Sequence, residues 1–479
     1  MSETKSASIT FYGGVGTVTG ANFLFDIGMK RTLIDCGALQ REVAHSVTTL
    51  GSSRAGVPAG KILAGSTCDV ENTKPFAYEP HTMDVLIVTH AHQDHIGRIP
   101  KLIHDGFKGV IYSTPATRDL AEIMFADSIS VMLRDQELHG CTPMYDAHAV
   151  ERTLSLWQTH EYHESFAIGD GTFTFLDSGH VLGSAIVHAE RNGRIVLFTG
   201  DLGNSPDPLL PETESAVGAH YIVIESVYGD RLHEDKENRT AILAEAINDA
   251  HTHGGTLLIP SFSLERTQIL LFEIKELLAQ KKIQSIQVYL DAPLAIRVTE
   301  IFRKYPNLFN EHVRENIAKT GDAFTFDGLH VIHNTRESAA IHDTPDPKII
   351  IAGAGMSNGG RIRAHEMKYL SDKNAHVLFV GYQAPGSLGR RIADGAKKVS
   401  IDKKEVIVRA SISSLGGYSG HRDRDGLMQF VEGSLDTIQE VFVVMGEPKA
   451  ELFLAQRLRD FYSINAQVPQ AGQTITIQW

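Results

Sequence analysis

The sequence predicts an α/β protein that is built from more than one domain. Short, fully apolar segments such as Val85–Val88 are typical of strands that are buried on both faces of a sheet. In the second half of the chain such segments alternate with helical patterns, which is the rhythm of βαβ units in a parallel sheet. The chain has 479 residues. One hydrophobic core rarely supports that length, so about two or three domains are expected.

Composition and charge exclude several classes of protein. Lys and Arg together number 45 and Asp and Glu 58, which gives a formal charge of −13, and 42% of the residues are hydrophobic. That apolar content excludes a mainly disordered chain. The acidic balance argues against coating nucleic acid through bulk charge, although a local basic cleft is compatible with it. No apolar stretch is long enough for a transmembrane helix, and Met1–Ser8 lacks the apolar core of a secretory signal.

The cysteines and histidines carry different information. The three cysteines, Cys36, Cys68 and Cys141, are odd in number and widely spaced, so the sequence predicts neither a disulfide framework nor a CxxC zinc site. A reducing, cytoplasmic location is the simple interpretation. The chain has 23 histidines, and several lie in tight clusters, which favours a metal site.

The first half of the chain predicts strands joined by loops and helices. Asn22–Ile27 and Arg31–Ile34 flank Gly28 and predict a β-hairpin. Ala116–Leu133 carries apolar residues at helical spacing and predicts a long helix. Residues 41–80 are polar with scattered Gly and Pro, and they predict an irregular excursion. The other predicted elements are strands at Ser8–Phe11, Val85–Val88, Val110–Tyr112, Thr172–Leu176 and Ile195–Phe198, and a short helix at Ile99–Phe107.

The second half begins after a change in composition. Asn204–Glu214 contains Pro and Glu and predicts a linker. From Tyr221 onward the pattern alternates strands with helices, and the tail returns to short strands. The predicted strands are Tyr221–Ile224, Thr256–Ile259, Gln287–Leu290, Ile349–Ile351, Val377–Val380, Glu405–Ile412 and Val441–Met445. The predicted helices are Thr267–Ala279, Asp425–Gly433 and Ala450–Phe461.

The strongest functional signal is His90-Ala-His92-Gln-Asp94-His95, directly after the predicted strand Val85–Val88. Buried or half-buried imidazoles and carboxylates need partners, and a cation supplies one partner to all four. These are ligand types that zinc prefers. His90 and His92 lie two apart on an extended loop and can face one ion, whereas Asp94 and His95 lie beyond a turn and can face a second. The alternative is a solvated polar loop, which four ligand-type residues in so short a segment make less attractive.

Three further candidates stand at the ends of predicted strands. Asp35 follows Arg31–Ile34, and His180 and Asp201 follow two later strands. Ligand sites gather at the carboxyl ends of strands in such sheets. Alone, each residue would more often be a capping or turn residue, but as members of one set they favour metal ligation.

Together these residues resemble motifs 1 to 4 of the metallo-β-lactamase fold. The resemblance implies an αββα sandwich, with the metals at one edge of two packed sheets. The implied ligands of the first zinc are His90, His92 and His180. Those of the second are Asp94, His95 and a bridging Asp201, and Asp35 would brace the ligand loop. Two such ions would activate a water molecule at neutral pH and neutralise developing charge.

A second set of motifs narrows the family, since the fold alone hosts many hydrolases. Glu225-Ser-Val-Tyr-Gly-Asp-Arg231 and Ser419-Gly-His-Arg-Asp423 resemble motifs A and B of the β-CASP branch. Further matches are Pro260–Gln268, Tyr289–Leu294 and Gly381–Arg390. Members are mostly RNA-processing nucleases, including the nuclease subunit of the pre-mRNA 3′-end cleavage complex and its bacterial and archaeal relatives. The resemblance covers nearly the whole chain and implies an inserted β-CASP α/β domain at 211–394, between lactamase-like parts at 1–210 and 395–479. RNA would enter the cleft between them.

The resemblance also implies roles near the scissile phosphate. Asp94, His421 and Glu225 are the expected catalytic residues. His421 would contact the phosphate and protonate the leaving oxygen, and Glu225 would hydrogen-bond to His421 and raise its pKa. Arginines can grip backbone phosphates, because guanidinium pairs bidentately with them. The RNA-binding candidates are Arg266, Arg361, Arg390 and Arg391, for which a solvated surface role is the alternative. Met356–Arg361 is a Gly-rich turn that suits close approach of an RNA strand.

One position departs from the family pattern. Motif C of the family is a histidine at the end of a late strand, followed by Gly-Glu, and it completes the second metal site. This chain has Met445 there, before Gly446 and Glu447. A neutral thioether is a poor ligand for a hard or borderline divalent ion. The second zinc site is therefore expected to be weaker than the first.

Three functions follow from these observations. The first is a zinc-dependent RNA phosphodiester hydrolase that acts as an endonuclease, and a 5′ exonuclease mode stays open. The second is a catalytically weakened RNA-binding protein or partner subunit, in which Met445 has disabled the site. The third, a small-molecule metallohydrolase, leaves the β-CASP motifs unexplained. The expected partner is single-stranded RNA, and no membrane association is expected. Whether the chain forms a homodimer is left open.

Overall fold

The computed structural model describes residues 6–40, 68–215, 217–233 and 238–479. Within these residues the chain forms two seven-stranded sheets, one six-stranded sheet and one two-stranded ribbon. Most of the irregular excursion predicted for 41–80 lies outside the described residues. The described part of that segment includes a single helical turn at Val70–Thr73.

The strands are defined here in chain order. Those of the first half are β1 (Ser6–Gly13), β2 (Asn22–Asp26), β3 (Arg31–Ile34), β4 (Val85–Ile87), β5 (Val110–Ser113), β6 (Trp157–Thr159), β7 (Phe166–Ile168), β8 (Gly171–Asp177), β9 (Ala185–Arg191) and β10 (Arg194–Phe198). Those of the second half are β11 (Tyr221–Ile224), β12 (Thr256–Pro260), β13 (Gln287–Asp291), β14 (Leu329–Val331), β15 (Lys348–Ala352), β16 (His376–Phe379), β17 (Lys398–Ile401), β18 (Lys404–Ile407), β19 (Ser411–Ser414), β20 (Glu440–Val443), β21 (Ala466–Gln467) and β22 (Thr474–Gln478).

The helices are also numbered in chain order. They are α1 (Val70–Thr73), α2 (Gln93–Ile96), α3 (Ile99–His104), α4 (Pro115–His139), α5 (Ala147–Ser155), α6 (Arg239–His253), α7 (Arg266–Ala279), α8 (Pro293–Lys304), α9 (Glu311–Thr320), α10 (Thr335–Ala340), α11 (Ile362–Tyr369), α12 (Leu388–Ala393), α13 (Arg424–Glu432) and α14 (Pro448–Tyr462). In the described part of the chain, no helix combines the length and the apolar character that a membrane crossing requires.

The first two sheets pack face to face. Sheet 1 has the order β22-β1-β2-β3-β4-β5-β6, and sheet 2 has the order β21-β20-β11-β10-β9-β8-β7. Aromatic side chains fill the space between them: Phe25 lies 5.5 Å from Phe198 and 4.8 Å from Trp479 between ring centroids. Helices cover the outer faces, with α3, α4 and α5 on sheet 1 and α13 and α14 on sheet 2. The αββα sandwich that the sequence predicts is confirmed.

The third sheet has the order β14-β13-β15-β12-β16-β19, and all of its pairings are parallel. The parallel α/β block predicted from the apolar segments is therefore confirmed, because strands covered on both faces carry near-continuous apolar runs. This sheet spans residues 256–414, whereas the sequence-based boundaries are 211 and 394. Tyr221–Ile224 pairs with β10 and β20 in sheet 2 instead. The domain division itself stays a prediction.

Most predicted elements are present, with shifted ends. The hairpin around Gly28 is formed by β2 and β3. The long helix predicted at Ala116–Leu133 extends over Pro115–His139, because Thr114 caps its N-terminus and Gly140 ends it at a φ of 69°. The sequence analysis missed several strands, among them β9, which pairs with β8 and β10 along its whole length. The predicted strand Glu405–Ile412 is divided into β18 and β19.

The prediction from the cysteines was wrong. Cys68 and Cys141 form a disulfide with a Cα–Cα distance of 5.2 Å, and Cys36 is free and buried. The two residues are 73 positions apart, and the fold alone brings the start of α1 to the end of α4. Spacing could not reveal this pair. The cysteines therefore give no support to a reducing compartment.

Candidate metal centre

The candidate site lies where strands of both sheets end. In sheet 1, β3 leads into Asp35, and β4 leads through Thr89 to His90. In sheet 2, β8 and β10 lead to His180 and Asp201. Because the sheets face each other, their ends deliver these side chains to one edge of the sandwich. All four of the ligand-type residues named here are buried.

Four side chains converge at the centre of the site. His92 Nδ1 lies 3.1 Å from His90 Nε2 and 3.2 Å from His180 Nε2. Asp201 Oδ2 lies 3.5 Å from His90 Nε2 and 3.4 Å from His180 Nε2. One ligand atom from each of these residues falls within 4.8 Å of all the others. The sequence placed the same four residues around the first zinc.

His95 stands beside this group and faces a different side of Asp201. Its Nδ1 donates to Asp35 Oδ2 at 2.7 Å, and its Nε2 lies 3.3 Å from Asp201 Oδ1. Asp35 also accepts hydrogen bonds from the backbone N–H and the hydroxyl of Thr89, both at 2.8 Å. The carboxylate of Asp35 therefore fixes the ring of His95, which leaves Nε2 directed at Asp201.

The donor set fits divalent cations. His95 Nε2 and Asp201 Oδ1 are buried without a hydrogen-bond partner among the described residues, which is costly unless another group satisfies them. Burial lowers the pKa of His92 to about 3 and those of His90 and His180 well below 6.5. These imidazoles are therefore neutral at pH 7, which is the form that binds metal.

His95 behaves in the opposite way. Burial alone would lower its pKa, but the carboxylates of Asp201 and Asp35 outweigh burial and raise that pKa well above 6.5. Without a cation, the raised pKa favours the protonated ring of His95 at neutral pH. A metal ion between His95 and Asp201 would replace the proton and keep the same two partners.

Asp94 and His95 are the two predicted ligands outside the tight cluster. Among the described residues, no group of three ligand atoms within 4.8 Å of one another includes either side chain, although His95 Nε2 lies 3.3 Å from Asp201 Oδ1. Asp94 lies in the first turn of α2, next to His95. Burial raises its pKa to about 6, although the positive charge of His95 acts against this. Asp94 therefore lies in the electrostatic environment of the site but outside the tight cluster.

His421 and Glu225 form a pair next to the metal cluster. His421 Nδ1 lies 3.2 Å from Glu225 Oε1 and 3.8 Å from Asp201 Oδ2. Burial opposes the charged imidazolium, but the carboxylates of Glu225 and Asp201 outweigh it and raise the pKa of His421 to about 9. Glu225 is fixed in turn, because its Oε1 accepts from Leu202 N at 2.7 Å. The arrangement holds a proton on His421 at neutral pH.

Met445 occupies the position that follows β20 on the same edge. Its side chain is 2% exposed, and its backbone φ is +50°. The backbone N–H of Met445 donates to Gly14 O at 2.6 Å. Its sulfur packs over Gly14, where a Cβ atom would lie only 2.5 Å from it. Met445 and His95 line one small cavity together with Asp35 and Glu225.

The four candidate arginines differ in what they contact. Arg361 donates to Asp291 and to two backbone carbonyls, so its guanidinium is engaged inside the third sheet. Arg390 is paired with Asp394 at 2.9 Å, and Arg391 is exposed. Arg266 begins α7, and its Nε is buried without a partner among the described residues. The positive charge of Arg266 also helps to lower the pKa of His92.

Sequence reasoning missed three supporting residues. Thr89 bonds to Asp35, as described above. The carbonyl of Gly420 accepts from His180 Nδ1 at 2.9 Å, which leaves Nε2 to face the site. His233 Nε2 donates to the carbonyl of His421 at 2.8 Å. A backbone carbonyl or a lone histidine gives no sequence signal. Thr89 stands directly before His90, and that position was the one available clue.

Comparisons with known proteins agree with this geometry. Residues 267–392 match the model of the Beta-Casp domain, and residues 405–469 match that of a Zn-dependent metallo-hydrolase RNA specificity domain. Ribonuclease TTHA0252 of Thermus thermophilus is 33% identical over 447 residues, which cover 93% of this chain and 95% of that protein.

Two further comparisons extend over most of the chain. Transcription termination factor FttA of Pyrococcus horikoshii is 32% identical over 409 residues, which cover 83% of this chain but 62% of that factor. A crystal structure of a protein of unknown function from Enterococcus faecalis covers 98% of this chain with a TM-score of 0.57 and 11% identity. The last similarity concerns the fold alone.

Proposed function

The chain belongs to the β-CASP family of metallo-β-lactamase-fold proteins, and from this membership we propose that it is a zinc-dependent ribonuclease acting on single-stranded RNA. The observation that carries the proposal is that two groups of side chains lie next to each other. The cluster of His90, His92, His180 and Asp201 adjoins the pair of His421 and Glu225, so a metal-binding group and a proton donor share one edge of the sandwich.

Two zinc sites are proposed from this chain's residues. His90, His92 and His180 would hold the first ion, and Asp94 and His95 the second, with Asp201 shared between them. Bound zinc would supply a nucleophile by lowering the pKa of water and would neutralise charge on the phosphate. The chain's own contribution is to orient the ligands: Asp35 holds His95, and the Gly420 carbonyl holds His180.

His421 is the proposed general acid. Its raised pKa keeps a proton on the ring at neutral pH, and Glu225 stabilises that charge. A proton donor at this place can protonate the oxygen that leaves the phosphorus atom. In this proposal Glu225 positions His421 and stabilises its protonated form. Asp94 adds a carboxylate next to His95 for the second zinc.

Arg266 is the strongest candidate for binding an RNA phosphate. Its guanidinium stands near His92 and 5.5 Å from the ring of Tyr418, and its buried Nε has no partner among the described residues. Asp207 and Glu265 act on this guanidinium electrostatically, and its unpartnered Nε is a donor that an RNA phosphate would satisfy. Arg390 and Arg391 would act farther out, whereas Arg361 would contribute by shaping the Gly-rich turn.

Met445 supports a second candidate function. The thioether supplies no good ligand for the second zinc, so the chain would be an RNA-binding protein with weakened catalysis. The ribonuclease proposal ranks first because the remaining motif residues are all present and because the ribonuclease relative is covered almost completely. The chain spans 62% of the Pyrococcus termination factor, so we draw no termination activity from it.

Because RNA is the proposed substrate, a cytoplasmic location belongs to the same proposal. Internal cutting is proposed first, with 5′ exonuclease activity as a second mode.

The decisive experiment joins metal analysis with RNA cleavage. Purified protein is assayed on a 5′-fluorescein single-stranded RNA, and zinc is measured by mass spectrometry. We expect cutting that chelation stops, and a loss of about 100-fold or more in His90→Ala. His188→Ala is the matched control, because His188 lies on β9 outside the cluster. RNA binding without cutting would favour the second candidate, and absence of both would contradict the proposal.

A further inference from the structure

We propose that Tyr382 is a stacking platform for one base of the single-stranded RNA. This inference rests on the proposed function and deepens it. Tyr382 belongs to Gly381–Arg390, a segment that the metal chemistry leaves without a role. In this segment the loop after β16 leads to α12.

The loop that carries Tyr382 is anchored on both sides of the ring. Gln383 Nε2 donates to Gly355 O at 2.9 Å and to Gly381 O at 3.2 Å. Gly381 packs so closely that an added Cβ would lie 2.9 Å from the ring of Phe262. The contacts that fix this backbone are made by Gln383 and Gly381. None of them involves the ring of Tyr382, so the loop should keep its conformation when the ring is removed.

The side chain of Tyr382 is presented to solvent. It is 54% exposed, and among the described residues its ring has no aromatic partner and its hydroxyl has no hydrogen bond. An exposed aromatic ring on an anchored loop loses little conformational freedom when a ligand stacks on it. Such a ring is better prepared for binding than one on a loose loop.

The surroundings of Tyr382 connect it to the catalytic edge. Its hydroxyl interacts electrostatically with Glu447, Arg390, Tyr228 and Arg231. Tyr228 follows β11, and its ring centroid lies 6.3 Å from that of His421. The loop of Tyr382 also starts beside the segment that leads to His421, because Phe379 O, three residues before Tyr382, accepts from Leu415 N at 2.8 Å.

The two neighbouring arginines match the backbone of the same ligand. Arg231 uses its Nε for Asp230 at 2.7 Å, and Arg390 uses its Nε for Asp394 at 2.9 Å. The terminal Nη atoms of both have no hydrogen-bond partner among the described residues. An aromatic platform flanked by guanidinium groups is the arrangement that binds single-stranded nucleic acid without strong sequence preference.

The test measures the Kd of a 5′-fluorescein single-stranded RNA dodecamer by anisotropy, with cleavage followed on the same samples. We expect Tyr382→Ala to weaken binding about 10-fold, as the loss of one base stack does, and Tyr382→Phe to bind like the wild type. Phe461→Ala is the matched control. Phe461 is 62% exposed and has Arg457 4.0 Å above its ring, but it stands on α14 roughly 20 Å from Glu447.

Single abasic nucleotides identify the stacked base. One abasic position should weaken binding by the wild type about 10-fold and leave binding by Tyr382→Ala unchanged, because the partner ring is already absent. If the wild type binds RNA and Tyr382→Ala binds equally well, the stacking role is overturned while the ribonuclease proposal stands. If the wild type neither binds nor cleaves RNA, both fall together.

Discussion

At the residue scale, Met445 gives a prediction about the proposed second metal site. Its φ of +50° lies in the region where His is enriched relative to most residues, so the backbone should accept a histidine. We expect Met445→His to raise the zinc content from about one to about two ions per chain, because imidazole ligates zinc and a thioether does so poorly. Mass spectrometry of the metal and RNA cleavage measure the change.

Met445→Leu serves as the control for this substitution. It keeps an apolar side chain of similar volume and adds no ligand, so its metal content should equal that of the wild type. Two ions per chain in the wild type, with no further gain in Met445→His, would mean that solvent or another residue completes the second site. The proposed weakness of that site would then be wrong.

Glu225 controls the charge of His421, and this gives a prediction about pH. The pKa of His421 is raised to about 9, so the acid form is present below that pH and is lost as the pH rises through it. Glu225→Gln keeps an acceptor for Leu202 N but removes the negative charge. The alkaline limb of the cleavage rate should move to lower pH by roughly 1 to 3 units.

The control for Glu225→Gln is another buried carboxylate. Glu366 lies on α11, where burial raises its own pKa to about 8, and it does not act on His421. Glu366→Gln should leave the alkaline limb in place. An unmoved limb in Glu225→Gln would show that His421 does not set the pH dependence.

The residues of the site were predictable to different degrees. The segment from His90 to His95 stands out because four ligand types fall within one short loop. Thr89 does not stand out, because its hydrogen bonds to Asp35 join residues 54 positions apart. The sequence also could not reveal that Met445 turns its sulfur over Gly14, since that contact depends on packing between β20 and the loop after β1.

At the scale of elements, buried strands were easier to predict than amphipathic ones. The four inner strands of the third sheet, β13, β15, β12 and β16, are mostly apolar, and all four were predicted. The outer strands β14 and β19 are partly polar and exposed. The missed strand β9 contains His188 and Glu190 between apolar residues. Its hydrogen bonds to β8 and β10 are long-range, and local pattern does not report them.

The disulfide joins two elements and should stabilise the chain. It links Cys68 at the start of α1 to Cys141 after α4 and closes a loop of 73 positions. Cross-linking so long a loop restricts the unfolded state, so the double variant Cys68→Ser/Cys141→Ser should lower the free energy of unfolding by about 2 to 4 kcal/mol. Urea denaturation measures this loss under oxidising conditions.

Reducing conditions supply the control for the disulfide. A reductant should lower the stability of the wild type toward that of the double variant and leave the variant unchanged. Cys36→Ala is not a substitute control, because Cys36 is buried in the core. Equal stability of the wild type and the double variant in both conditions would contradict a stabilising cross-link.

At the scale of the whole molecule, a buried charged group joins the third sheet's helices to the catalytic loop. Glu273 on α7 accepts hydrogen bonds from the hydroxyl of Tyr418 and, at 3.1 Å each, from Arg239 and Thr240 on α6. Tyr418 is followed by Ser419, Gly420 and His421 in the chain. Helices α6 and α7 are thus coupled to the backbone segment that contains Gly420, which accepts from His180, and His421.

Tyr418→Phe tests whether this coupling serves catalysis. Loss of the hydroxyl leaves Glu273 with its bonds to Arg239 and Thr240, so the free energy of unfolding should fall by only about 1 to 3 kcal/mol. We expect kcat for RNA cleavage to fall several-fold while KM changes little, since the His421 loop loses one of its supports and the RNA surface does not. Tyr369→Phe is the matched control, because Tyr369 is also buried, in the core on the opposite face of the third sheet, and its hydroxyl has no partner among the described residues. A fall in kcat of the same size in both variants would mean that Tyr418 only packs, and that the two halves of the cleft are not coupled through Glu273.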